Sequence, residues 1–129
     1  MKIHHVVALS ILTGILVGAV LVQELHALGV VPPAYVVIET DVTNPDSYLK
    51  EFVPLASKAI TQGGGNVIAR GGKVVGIDGQ PPKLRIVLIS FNSLVDAQSA
   101  FASPAYRDAR TIGDKYAKFR IWAIEGLSQ

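Results

Sequence analysis

The side chains best placed to do chemistry fall on one alternating run. Tyr35, Glu39 and Asp41 occupy every second place, or multiples of two, within AYVVIETDV, Ala34 to Val42. In a strand, residues two apart face the same side about 6.5 to 7 Å from each other. Glu39 and Asp41 are thereby within reach of one pocket, and Arg70 and Arg85 lie on neighbouring predicted strands. A carboxylate in an apolar cavity has a raised pKa and serves as a general base, with arginine holding an anionic substrate. The same side chains can instead form ion pairs and hydrogen bonds that satisfy polar atoms near a subunit seam. The second reading is the simpler. Tyr48 and Tyr106 begin two predicted helices, where a phenol either points at the pocket or packs in the core with its hydroxyl at the edge.

Other chemistries are excluded by composition. The 129-residue chain has no cysteine, and its three histidines are His4, His5 and His26. All three fall in a stretch with the pattern of a secretory leader: a short basic start, 17 uncharged residues from Val6 to Val22, then small residues at Ala27 and Gly29. Residues 1–27 are expected to be a signal peptide, with an uncleaved membrane anchor as the alternative, 28–33 a linker and 34–127 one domain. The expected location is exported, periplasmic or secreted, touching membrane only through a retained leader. Without the leader no Cys or His remains, so zinc and haem lose their usual ligands, and a Ser-His-Asp triad or Cys-His pair cannot be built. Neither metal nor cofactor is expected. The net charge of +2, unchanged by loss of Lys2 and Glu24, does not suit a nucleic-acid binder.

Several elements must position the candidates. Ala34 to Val42 is a strand with Val36, Ile38, Thr40 and Val42 on one face. Asn44 caps a helix with Pro45 at its first position, and Pro54 is expected to kink or shorten it. Gly63-Gly64-Gly65 ends that helix; without a phosphate-loop motif around it, a C-cap is the reading. Strands follow at Asn66 to Arg70 and Lys83 to Phe91, with a short extended piece at Lys73 to Ile77 between glycine turns. Ser93 and Asp96 form a capping box for a helix from Leu94 to Ala102. Ser103-Pro104 caps another running to about Lys118, with Gly113 inside it, and Phe119 to Gly126 is the last strand. Ser103 is read as a cap, not a nucleophile.

The order β-α-β-β-α-β defines an α+β, ferredoxin-like fold. Helices cover one face of a four-stranded sheet, yet the third and fourth strands are apolar on both faces. A second copy packing sheet to sheet would cover the other, so a homodimer through the sheet faces is expected, with Trp122 in core or interface.

With AYVVIETDVT at Ala34 to Thr43, Tyr48, GGGNVIARGG at Gly63 to Gly72, Arg85, Ser90-Phe91, SPAY at Ser103 to Tyr106 and Glu125-Gly126, the chain resembles the domain-of-unknown-function 1330 family of the dimeric α+β-barrel group. The resemblance spans Ala34 to Gly126 and implies a ferredoxin-like domain that dimerises through its sheets and encloses a cavity. It implies no reaction. This chain has Ser90 and Asp78 where relatives often have Glu, and Gly113 where they often have Arg. Two functions remain: a binding domain for a small anionic or aromatic molecule, with Tyr35, Tyr48, Arg70, Arg85 and Tyr106 as binding residues; or a cofactor-independent enzyme using Glu39 or Asp41 as base with arginine stabilisation.

Overall fold

The computed structural model describes residues 29–128. The expected leader, 1–27, lies outside them. Strand β1 (Ala34–Val42) has the expected bounds, and its burial alternates with the pleat. The first helix, α1, runs as three consecutive segments: Pro45–Ser47, a π-helical Tyr48–Phe52, and Val53–Gln62. Then come β2 (Asn66–Arg70), β3 (Arg85–Phe91), α2 (Leu94–Ala102), α3 (Pro104–Gly113) and β4 (Ala117–Glu125). The sheet order is β2-β3-β1-β4 with all neighbours antiparallel, which is the ferredoxin-like arrangement.

Local chemistry accounts for the helix ends. Asn44 Oδ1 accepts from Ser47 N at 3.2 Å, and Ser93 Oγ from Asp96 N at 3.0 Å. Ser103 Oγ accepts from Tyr106 N and donates to the Ala100 carbonyl at 2.7 Å, serving one helix start and one helix end. The three glycines after α1 each have a separate reason. Gly63 lies where a Cβ would come 2.5 Å from Ala100 Cβ; Gly64 has φ +89; Gly65 lies against Ile60 and Phe91. Gly65 N bonds to Ile60 O and Gly64 N to Thr61 O, the paired bonds of a Schellman cap.

The turn before Pro54 widens, with Val53 N bonding back to Tyr48 O, and the helix continues past the proline. Some boundaries depart from the sequence reading. Strand β3 begins at Arg85, after Lys83 and an exposed Leu84. The helix expected to reach Lys118 stops at Gly113, where the missing side chain admits the Phe52 ring: a Cβ there would stand 2.6 Å from Phe52 Cδ2. β4 accordingly starts two residues earlier than expected, at Ala117.

The core lies between the helices and one sheet face, with Val36 and Ile89 at its centre and Ala56, Ala59, Ala97, Ala100 and Ala109 allowing close helix approach. The other sheet face carries Tyr35, Val37, Ile86, Leu88, Trp122 and Ile124, the last two 39% and 62% exposed.

Gly64→Ala is expected to lose roughly 1–2 kcal/mol through its left-handed backbone. Gly113→Ala should lose roughly 1–3 kcal/mol by crowding Phe52. Gly72→Ala, with open space around it and no positive φ, should be near neutral. Urea denaturation of the three variants checks the order.

Candidate functional site

The helix-side face of the sheet and α1 enclose a cavity of about 610 Å³. Its floor is Ile38, Val87 and Phe119; its roof is Tyr48, Phe52 and Ala56; Tyr106 enters from α3, and Arg70 and Arg85 stand at its edge. The walls are thus largely apolar, with polar groups concentrated in two guanidiniums, two phenols and Ser57.

Each polar group has an identifiable anchor. Tyr48 and Phe52 bound the π-helical turn, so the widened backbone that accommodates Pro54 also forms the cavity roof. Tyr48 packs on Phe52 with centroids 5.2 Å apart, and Phe52 on Phe119 at 5.0 Å. Arg85 is the first residue of β3 and faces Thr40 across the β1 ladder; its Cζ lies 5.1 Å from the Tyr48 ring centroid, within cation–π range. Arg70 reaches the same side through a β-bulge. Val67 pairs with Ile89 but Ala69 pairs with Leu88, so Ile68 is the extra residue and Arg70 falls opposite the inward-facing Val87. Paired without that bulge, the same residues would set Arg70 opposite Ile86, on the other face. Neither Arg70 nor Arg85 forms an ion pair with a carboxylate among the described residues.

Tyr106 is buried, and burial pushes its phenol above its ordinary pKa of 10.0, partly opposed by the nearby Arg110 guanidinium. It is therefore a neutral hydroxyl at all ordinary pH values, held edge-on to Phe101 with centroids 4.6 Å apart. Arg110 is itself engaged, its Nε 2.7 Å from Asp114 and its Cζ 4.2 Å from the Phe119 ring centroid.

The sheet separates the candidates that alternation had grouped. Tyr48, Arg70, Arg85 and Tyr106 line the cavity together. Glu39 pairs in register with Ile86 and Arg120 on the other face, and its Oε2 lies 3.5 Å from Arg120. Asp41 is exposed and pairs with Lys83 Nζ at 3.0 Å. A base at Glu39 assisted by Arg85 is therefore not assembled, because the register puts Arg85 beside Thr40; Asp41 lines a second recess of about 480 Å³ with Arg85 but is paired with Lys83. Tyr35 also faces away, its ring packed where a Gly126 side chain would sit, about 17 Å along the strand from Thr40 by residue spacing. Sequence reasoning missed Phe119 and the roof of α1; the proline at 54 was the one signal for the turn that forms it. Among the described residues no group of three or more His, Cys, Asp or Glu could hold a metal ion, and no helix is long and apolar enough to cross a membrane.

This geometry defines a ferredoxin-like α+β domain with a cavity under its helices, and solved structures share that fold. A methylated form of a Rhodopseudomonas palustris protein of unknown function superposes with a TM-score of 0.59 at 13% identity, covering 76% of this chain and 83% of that one. SnoaB, a cofactor-independent oxygenase from Streptomyces nogalater, gives 0.53 at 12%, covering 76% and 96%. A hypothetical Arabidopsis thaliana protein gives 0.51 at 18%, covering 77% and 91%. No curated protein matches in sequence. The chain belongs to the family described as domain of unknown function (DUF1330), whose model matches residues 33–127.

Tyr106→Phe tests the buried phenol. A folded pKa above 10.0 stabilises the protein fully below pH 10 and is lost as pH rises through the folded value. The wild type should therefore lose stability more steeply than Tyr106→Phe above about pH 10. Tyr116, raised chiefly by its hydrogen bond to Glu51, leaves some alkaline sensitivity in the variant. Urea midpoints measured from pH 8 to 11 read the difference.

Proposed function

We propose that the domain binds a small molecule with a flat apolar body and one carboxylate-like group in the helix-side cavity. The observation that carries this reading is the pair of guanidiniums, Arg70 and Arg85, at the edge of a largely apolar cavity with no carboxylate partner among the described residues. Charge in such surroundings is best matched by an anion, and arginine suits the forked geometry of a carboxylate. The volume of about 610 Å³ is that of an ordinary small-ligand site. The carboxylate-base enzyme has less support, because Glu39 is paired with Arg120 on the other face and Asp41 with Lys83.

Calorimetric titration with 2-naphthoate and with neutral 2-methylnaphthalene tests the charge recognition. Arg85→Met keeps the aliphatic stem and removes the guanidinium. It should weaken 2-naphthoate about ten- to a hundredfold, as loss of a charge-assisted hydrogen bond worth about 1.5–3 kcal/mol predicts, and leave the neutral compound unaffected. Equal affinity of both proteins for the acid would remove the reading.

The domain works, in this proposal, as an exported homodimer. Val37, Leu88, Trp122 and Ile124 on the uncovered sheet face support a second copy as its cover, and the leader pattern supports export. Native mass spectrometry of protein recovered from the cell envelope addresses both: a dimer cleaved after Ala27 or Gly29 is expected. A monomer at micromolar concentration would refute the dimer, and protein found with an intact N-terminus only in the cytoplasmic fraction would refute export.

A further inference from the structure

Tyr48 and Tyr106 are each 4% exposed and both line the cavity, so what surface they keep borders that space. Neither hydroxyl donates a hydrogen bond among the described residues. Nor is either sealed in: the fully enclosed side-chain oxygen without a partner among those residues is Thr40 Oγ1. A phenol hydrogen left unpaired in an apolar wall loses its hydration with nothing in return. Phenylalanine would pack the same ring without that loss.

The surroundings of the two phenols leave their hydrogens to a ligand. Arg110 lies beside the Tyr106 oxygen, and a guanidinium can only donate, so it takes a lone pair and turns the phenol's own hydrogen elsewhere. Tyr48 stands close enough to Tyr106 to act on its charge. Arg85 sits over the face of the Tyr48 ring, 5.1 Å from the centroid, whereas the Tyr48 hydroxyl lies in the ring plane and is not covered by it. The cavity wall holds no carboxylate or amide side chain to accept from either phenol. One ring thus joins the two polar features: a guanidinium on its face and a free donor at its tip.

We infer that Tyr48 and Tyr106 are paired hydrogen-bond donors for one acceptor oxygen of the ligand, near the carboxylate held by Arg85. The ligand class is then flat acids that also carry a ketone or quinone oxygen. A carbonyl oxygen has two lone pairs and so accepts from both phenols at once. The inference rests on the cavity binding proposed above and adds the discrimination between acids with and without that acceptor.

The test uses 9-oxofluorene-2-carboxylate and its 4-carboxylate isomer, each against the fluorene acid that has a methylene in place of the ketone. Calorimetry is run on wild type, Tyr48→Phe, Tyr106→Phe, the double variant and Arg85→Met, with 2-naphthoate as reference ligand. A neutral hydrogen bond is worth about two- to tenfold in affinity, so wild type should prefer at least one ketone by about tenfold. Each single Phe variant should lose part of that preference and the double variant all of it. Unchanged binding of the fluorene acids shows that these variants fold, and a purely structural role for the phenols would move both acids together. Arg85→Met should weaken both acids and keep their ratio. The infrared C=O stretch of the bound ketone should fall in wild type and recover in the double variant. If 2-naphthoate binds and Arg85→Met weakens it, but no ketone is preferred or the preference survives in the double variant, the phenol pair is wrong and the cavity reading stands. If 2-naphthoate and the fluorene acids all fail to bind wild type, both are wrong.

Discussion

Strand β1 is hydrogen-bonded on both sides, to β3 and to β4, so its pleat decides which side of the sheet each paired neighbour faces. Everything else follows from that constraint. Ile38 commits Val87 and Ile121 to the helix side, and Thr40 commits Arg85 and Phe119. Glu39, one residue away from each, commits Ile86 and Arg120 to the opposite side. The domain therefore has two chemically distinct surfaces on one sheet: a covered one with arginines and phenols at an apolar cavity, and an uncovered one with a carboxylate among apolar side chains.

The helices are fitted to this sheet by the absence of side chains as much as by their presence. Gly63 meets Ala100, Gly65 meets Phe91, and Gly113 meets Phe52. These contacts bring α1, α2 and α3 close together and against the sheet, and the cavity occupies the space under α1 where large side chains replace small ones. The π-helical turn contributes to the same end, since it sets Tyr48 and Phe52 over the sheet while absorbing the missing N–H of Pro54.

Much of the fold was legible in the residues because its signals are local. Alternation fixed the limits of β1; Asn44, Ser93 and Ser103 marked helix starts through bonds their own side chains make. The features that escaped depend on partners distant in sequence. Gly113 reads as a weak point inside a helix until Phe52 is seen to occupy its place. The site divided along the same line. Tyr48, Arg70, Arg85 and Tyr106 were identifiable as residue types suited to a pocket, and they do converge. Which of them share a face with Glu39 depends on register between strands, and a single chain read in order does not contain that register.

The bulge at Ile68 has a consequence for how such a pocket can change over time. Arg70 faces the cavity because two residues of β2, Ile68 and Ala69, stand opposite one of β3. Deleting the codon for Ile68 would leave Val67 opposite Ile89 and Arg70 opposite Val87, so the strand would become regular and the guanidinium would keep its side. The same residues paired without the bulge would instead present it to the other surface. A pocket built this way tolerates the loss of a residue from its edge strand, and only a slip in pairing moves its charge.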